Sequence, residues 1–366
     1  MRALRHLVLA VTVVGALAFL GLAGTSSYYG GSDGKGCARC HEIGPMVETW
    51  ASSTHRSVAC KDCHGSSFSS DLRMHVKNLG RVWLHARGKT PEQIHIRHED
   101  VGRLVERCRS CHAQEYGDWK SGPHATSYAR IFLDVKHNTG QQLMDDCLRC
   151  HGMHFEGGIA RLVEPIDRKG PWRLRDPALE NEPAIPCLAC HQAHRKGEPL
   201  PVRAAGAGRL ASTEEIVRPS VSLYDRRALD HVALADLPLP VLRAGSRAIK
   251  ASPDRRQALC YQCHAPRAEA QVFSGDDRTP TGVHEGLSCL ACHQKHGEST
   301  RASCAACHPR LSNCGRDVET MDTTFRSKES PHNIHSVACV DCHPAGIPKA
   351  RRAAVRGSRA QRWAAR

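Results

Sequence analysis

The pentapeptide Cys-x-x-Cys-His occurs nine times in these 366 residues and uses 18 of the 19 cysteines. The first two copies, Cys37, Cys40 and His41, then Cys60, Cys63 and His64, enclose Trp50, Ser53 and His55. Three more follow at Cys108, Cys111 and His112, at Cys147, Cys150 and His151, and at Cys187, Cys190 and His191. The last four are Cys260, Cys263 and His264; Cys289, Cys292 and His293; Cys304, Cys307 and His308; and Cys339, Cys342 and His343. A zinc site uses paired cysteines but has no need of a histidine after every pair, and a disulfide framework does not dictate that histidine either. Covalent haem attachment needs all three residues: two thiols one turn apart add to the porphyrin vinyl groups, and the histidine becomes the proximal iron ligand. The expected cofactor is haem c, nine per chain and covalently held.

Aromatic residues make up 5% of the chain, too few for a conventional core, so the porphyrins are expected to supply much of the buried apolar mass. The fold class that follows is mainly α with long loops, a multihaem cytochrome c wrapped around stacked haems, with one N-terminal transmembrane helix. The formal charge of +14 invites a nucleic-acid reading. Two propionates per haem remove about 18 charges and each ferric iron in its dianionic ring returns one, leaving about +5 oxidised and about −4 reduced. Arginines and lysines are then propionate partners, no nucleic-acid motif accompanies them, and no nucleic-acid partner is expected.

The organisation reads in five parts. Residues 1–24 hold Arg2 and Arg5 and then 18 uncharged residues, 7–24, enough to reach across a bilayer. The arginines place the start in the cytoplasm and the remainder outside. Gly21-Leu22-Ala23 resembles a signal-peptidase site, so a cleaved signal peptide competes with the anchor. Residues 25–195 carry five attachment motifs, 196–256 read as a linker, 257–345 carry four motifs, and 346–366 form a basic tail. The stretch 71–107 includes Leu72, Val76, Leu79, Val82 and Trp83 at helical spacing among basic residues, either an ordinary packed helix or an amphipathic helix at the membrane surface. Cys314 is left over and reads as a buried thiol.

Internal echoes point to distal ligands. Trp50 precedes His55 by five residues, as Trp119 precedes His124; His55 and His284 each stand five residues ahead of a motif cysteine, and His335 four ahead. The pattern Cys-x-x-Cys-His-x-x-His adds His154, His194 and His296, on the same helix side as the proximal histidine and therefore directed to a neighbouring haem. Of 24 histidines, nine are proximal and His6 lies before the apolar run, leaving 14 for nine distal positions. The expected distal ligands are His55, His124, His154, His194, His284, His296 and His332. Two imidazoles per iron favour the ferric state and a low potential, and leave no open site for substrate.

The N-terminal apolar run followed by CARCHEIGPMVETWASSTHRSVACKDCHG resembles the NapC/NirT (NrfH-like) membrane-anchored quinol dehydrogenases, and EDVGRLVERCRSCH fits that family's approach to its third haem, over residues 1–160. The family has a methionine two residues after the first haem histidine. Ile43 stands there in this chain, with Met46 the alternative ligand. The resemblance implies oxidation of membrane quinol and delivery to a periplasmic redox protein or reductase. CRSCHAQEYGDWKSGPHA is similar to haem repeats of cytochromes related to hydroxylamine oxidoreductase, and the motifs beyond residue 180 read as a fused electron-carrying extension. The leading expectation is an electron carrier, single-pass in the bacterial inner membrane with its bulk in the periplasm. Its rival is a multihaem reductase of nitrite, hydroxylamine or a sulfur oxyanion with one open haem.

Overall fold

The structure, a computed structural model, describes residues 2–31, 36–65, 68–90, 94–195, 220–264, 278–297, 334–338, 340 and 345. It is mainly helical with long loops and divides into two units. The first takes described residues up to 195 together with 220–234, and the second those from 235 onward.

The first unit begins with α1 (Arg2–Gly31). Its segment Arg2–Tyr28 has a mean hydropathy of 2.4 and none of its apolar window is buried. Thirty residues at 1.5 Å each give about 45 Å, more than the hydrocarbon of a bilayer. Thr12 and Thr25 donate their hydroxyls to the carbonyls of Val8 and Gly21, at 2.9 Å each, so these polar groups are satisfied within the helix. Lys61 donates to the Ser26 hydroxyl at 3.0 Å and ties the end of α1 to the second motif.

Between the first two motifs, α2 (Gly44–Ala51) starts at Pro45 and ends beside Trp50, whose indole donates to the Val58 carbonyl at 3.1 Å. The second motif lies on α3 (Cys60–His64), and α4 (Phe68–Ala86) follows. Lys77 on α4 meets Asp100 at 2.6 Å and Glu99 at 3.0 Å on α5 (His98–Cys111). Those two acids also lie in the first turn of α5, where the helix dipole favours negative charge. Val101 and Val105 of α5 pack on Trp119 of α6 (Ala113–Ser121).

The main core lies around the fourth motif. Phe132, Leu148, Leu162 and Val163 are almost fully buried there with Tyr128 and Phe155. Gly152 sits at a positive φ of 85° with Tyr128 against its α-carbon, where any side chain would collide.

Residues 220–256 fall in the stretch whose composition suggests a linker, yet they are built into the units. A hairpin of β1 (Ser222–Asp225) and β2 (Asp230–Ala233) pairs Tyr224 with His231. Arg226 fastens it to the carbonyls of Phe155 and Gly157, and the Gln192 amide donates to Ser220 at 2.9 Å beside the fifth motif.

In the second unit, Asp254 and Gln257 join the sixth and seventh motifs. Asp254 accepts from Arg256 at 2.8 Å and from Ser288 at 2.6 Å, while the Gln257 side chain accepts from the Cys289 amide at 3.2 Å. Arg247 grips Glu285 through two 2.8 Å bonds. That fork, with the Lys250 amide, holds the Glu285 carboxyl down to about 2. A depressed folded-state value means its contribution is complete above the ordinary glutamate range and fades as pH falls toward 2. Glu285→Gln is therefore expected to flatten the acid limb of second-unit stability between about pH 4.5 and 2, measured by protease resistance against pH.

Candidate haem-ligand centre

Five described motifs close one helical turn in the same way. The amides of His112, His151, His191, His264 and His293 donate to the first cysteine of their motif at 2.8–3.0 Å. A turn of 3.6 residues puts the thiols at i and i+3 on one side and the imidazole at i+4 beside them. The first motif is a tighter 3₁₀ turn, with the Cys40 amide donating to Cys37 at 3.2 Å. Motif thiols also lie close to one another across the chain, Cys37 to Cys60, Cys108 to Cys187 and Cys260 to Cys289. The motif at Cys304–His308, the cysteines and histidine of the motif at Cys339–His343, and His332 lie outside the described residues.

Three imidazole pairs share one spacing. The ring centroids of His55 and His112 are 6.2 Å apart, those of His64 and His194 6.0 Å, and those of His293 and His335 5.9 Å. The contact of His154 with Tyr224, at 3.9 Å, is closer than any of these. With metal–nitrogen bonds of about 2 Å, two imidazoles opposite each other on one metal hold their centroids roughly 6 Å apart. Each pair joins a motif histidine to a histidine from elsewhere, so the donor set fits an iron between them.

The supporting contacts fix tautomers. His55 Nδ1 faces the Ala193 carbonyl at 3.2 Å and His284 Nδ1 faces that of Ile334 at 3.1 Å. A carbonyl at Nδ1 makes that nitrogen the donor and leaves Nε2 as the ligand atom. Ser53, fully buried, accepts from the His55 amide at 3.0 Å and completes that loop. Burial holds His194 down to about 4, helped by His64 and His55, so its imidazole is neutral and able to bind metal at neutral pH.

The remaining candidates are placed differently. His154 is 4% exposed, packed on Tyr224 next to Ala189 of the fifth motif, and burial keeps it at about 4. His124 is exposed in a short 3₁₀ turn, Pro123–Ala125, and His296 is half-buried just beyond the seventh motif. Met46 is 41% exposed on α2. The ring set against His41 is instead that of His85, with centroids 5.2 Å apart and Glu42 ion-paired to both, at 2.5 Å to His85 and 3.3 Å to His41. His85, His231 and His335 are absent from the sequence-based distal set. His231 hydrogen-bonds the Ser222 hydroxyl at 2.9 Å, and burial holds it down to about 4.

Residues 1–156 match the NapC/NirT cytochrome c family, N-terminal region, and residues 242–294 match cytochrome c554 and c-prime. The cytochrome c-type protein NrfH of Wolinella succinogenes is 29% identical over 112 residues, covering 29% of this chain. The chain spans 63% of the length of that curated relative. No solved structure matches. The apolar N-terminal helix, the motif turns and the match over residues 1–156 together make the N-terminal part of this chain similar to the NapC/NirT membrane multihaem c-type cytochromes.

Proposed function

We propose that the chain is a nonahaem electron carrier, anchored in the bacterial inner membrane by an uncleaved α1 with its bulk in the periplasm. It would take electrons from membrane quinol and pass them to a periplasmic or outer-membrane redox partner. The observation that carries this reading is the pairing of His55 with His112 and of His64 with His194 at the spacing of two imidazoles on one iron. When bound, each haem accepts and returns one electron at its iron. The paired imidazoles would hold such an iron from two sides, leave substrate no site on it and serve as the same ligands in both redox states. The similarity of residues 1–156 to NapC/NirT cytochromes, a resemblance that implies quinol oxidation, supports quinol as the donor class.

The membrane side of the path is supported by α4, which touches α1. Val76, Leu79, Val82 and Trp83 are 58–70% exposed along it, and the Arg87 guanidinium lies 4.3 Å over the Trp83 ring. An apolar face with basic neighbours and an arginine-capped tryptophan suits the headgroup boundary. The first motif's titratable neighbours, Glu42 and His85, belong to this end of the first unit, and the Glu42 carboxyl is held below its ordinary range by its own amide and then by His85.

Anaerobic addition of a menaquinol analogue to the membrane-bound protein tests the reading, with haem reduction followed optically. Rapid reduction is expected. No reduction by quinol, with full reduction by dithionite, would remove quinol as donor. Replacing Leu79 and Val82 by aspartate is expected to cut the quinol-driven rate roughly tenfold, equivalent to about 1.4 kcal/mol of binding, while haem content stays constant. The reductase reading requires an iron with one open face, and a high-spin spectrum that shifts with nitrite would favour it over the carrier.

A further inference from the structure

The seventh motif, on α3's counterpart in the second unit (Cys289–Cys292), ends at His293. Facing that ring is His335, 42 residues later in the chain. The rings are nearly parallel, 20° apart in plane, at a centroid separation of 5.9 Å. That separation matches the 6.0 and 6.2 Å of the first-unit pairs, whose rings are inclined at 67° and 74° instead.

His335 is carried there by main-chain bonds. The Thr281 amide donates to the His335 carbonyl at 2.6 Å, and the Val283 amide donates to Val337 at 2.9 Å. His284 Nδ1 binds the Ile334 carbonyl at 3.1 Å, one residue ahead of His335. Between these bonds Gly282 has φ +65°, and a β-carbon there would collide with the Val337 carbonyl. Only glycine lets the two segments come so close. The residues 281–284 thus act as a clamp that sets residues 334–337 in one register, and His284 is a positioning residue within it.

We propose that His335 is the sixth ligand of the haem attached at Cys289, Cys292 and His293. The assignment rests on the reading of that motif as a haem site; the motif falls within the matched residues 242–294, and His335 lies beyond both matched regions. His335 stands four residues ahead of Cys339, so this ligation also links the seventh and ninth attachment motifs through one short piece of chain.

The test uses the full, haem-loaded protein. His335→Gly is expected to keep the parent haem content by pyridine haemochrome, to show one additional high-spin ferric haem by electron paramagnetic resonance, and to lose that signal when imidazole is added. His335→Met is expected to show the thioether-to-iron charge-transfer band of a His/Met haem. A low-spin spectrum identical to the parent in both variants would overturn the proposal. So would loss of several low-spin haems in His335→Gly without imidazole rescue, together with no sulfur band in His335→Met, because the segment would then hold the fold and not the iron. The underlying haem reading fails separately: Cys289→Ala with Cys292→Ala would then leave haem content unchanged.

Discussion

Replacing His194 by alanine is expected to leave every haem attached and turn one of them high-spin, able to bind carbon monoxide, with quinol-driven electron flow past it slowed at least tenfold. His194 comes from the fifth motif region, whereas the proximal histidine it faces, His64, belongs to the second. Haem attachment needs only thiols and the proximal imidazole, so covalent content should not change. Axial ligation, in contrast, loses its second nitrogen, which raises the potential of that iron and forces a change of coordination on each redox cycle. Cys187→Ala with Cys190→Ala should behave differently. It removes one haem and also disturbs two others, because the same segment supplies His194 and the Ala193 carbonyl that orients His55. Magnetic circular dichroism with a haemochrome count separates the outcomes. A fully low-spin His194→Ala protein would show that the 6.0 Å pair does not mark an iron site.

The two substitutions differ because the paired histidines are not neighbours in sequence. The attachment motifs are legible in the chain since covalent chemistry fixes their spacing, and one helical turn is all the structure they require. α1 is equally legible from its apolar run, and α4 from its periodic Leu72, Val76, Leu79 and Val82. His55 and His194 could be singled out because each recurs at a constant distance from a motif, but the rings they face, His112 and His64, lie 57 and 130 residues away along the chain. No local spacing announces His85 beside His41, and the spacing of His335 four residues ahead of Cys339 does not say that it faces His293. Both depend on how a helix or a clamped segment is returned to an earlier motif.

Residues 220–256 are a different case. The Pro, Arg and Ala content of the stretch they belong to suggests a linker, and the strands of the 222–233 hairpin are only four residues long, with Asp225 and Asp230 at their ends. What orders the hairpin is tertiary: Tyr224 stacks on His154, and Arg226 reaches two carbonyls 69 and 71 residues away. Intrinsic strand preference is weak here, and packing on neighbours decides the outcome.

The chain produced without haem attachment is expected to lack cooperative tertiary structure in its second unit and to retain only a partial core in its first. Among the described residues of the second unit, the buried apolar side chains are Leu237, Leu242, Ala258 and Tyr261. At about 1.5–3 kcal/mol for each large side chain, so few cannot offset an ordering cost of about 1–2 kcal/mol for every residue fixed. The polar ties at Asp254, Gln257 and Glu285 give direction to the packing without supplying that deficit, since hydrogen bonds exchange with water on unfolding. The first unit has a larger cluster, with Phe132, Leu148, Leu162 and Val163 at its centre, and α1 forms independently of it in a membrane. Hydrogen exchange on protein made without the haem-attachment machinery should therefore find protection near Leu148 and Leu162, and none across residues 254–264 and 282–293. Limited proteolysis should cut the second unit first. A cooperative thermal transition and protease resistance in residues 235–297 of that haem-free chain would show that its side chains alone make a core, and would refute a fold organised around bound porphyrin.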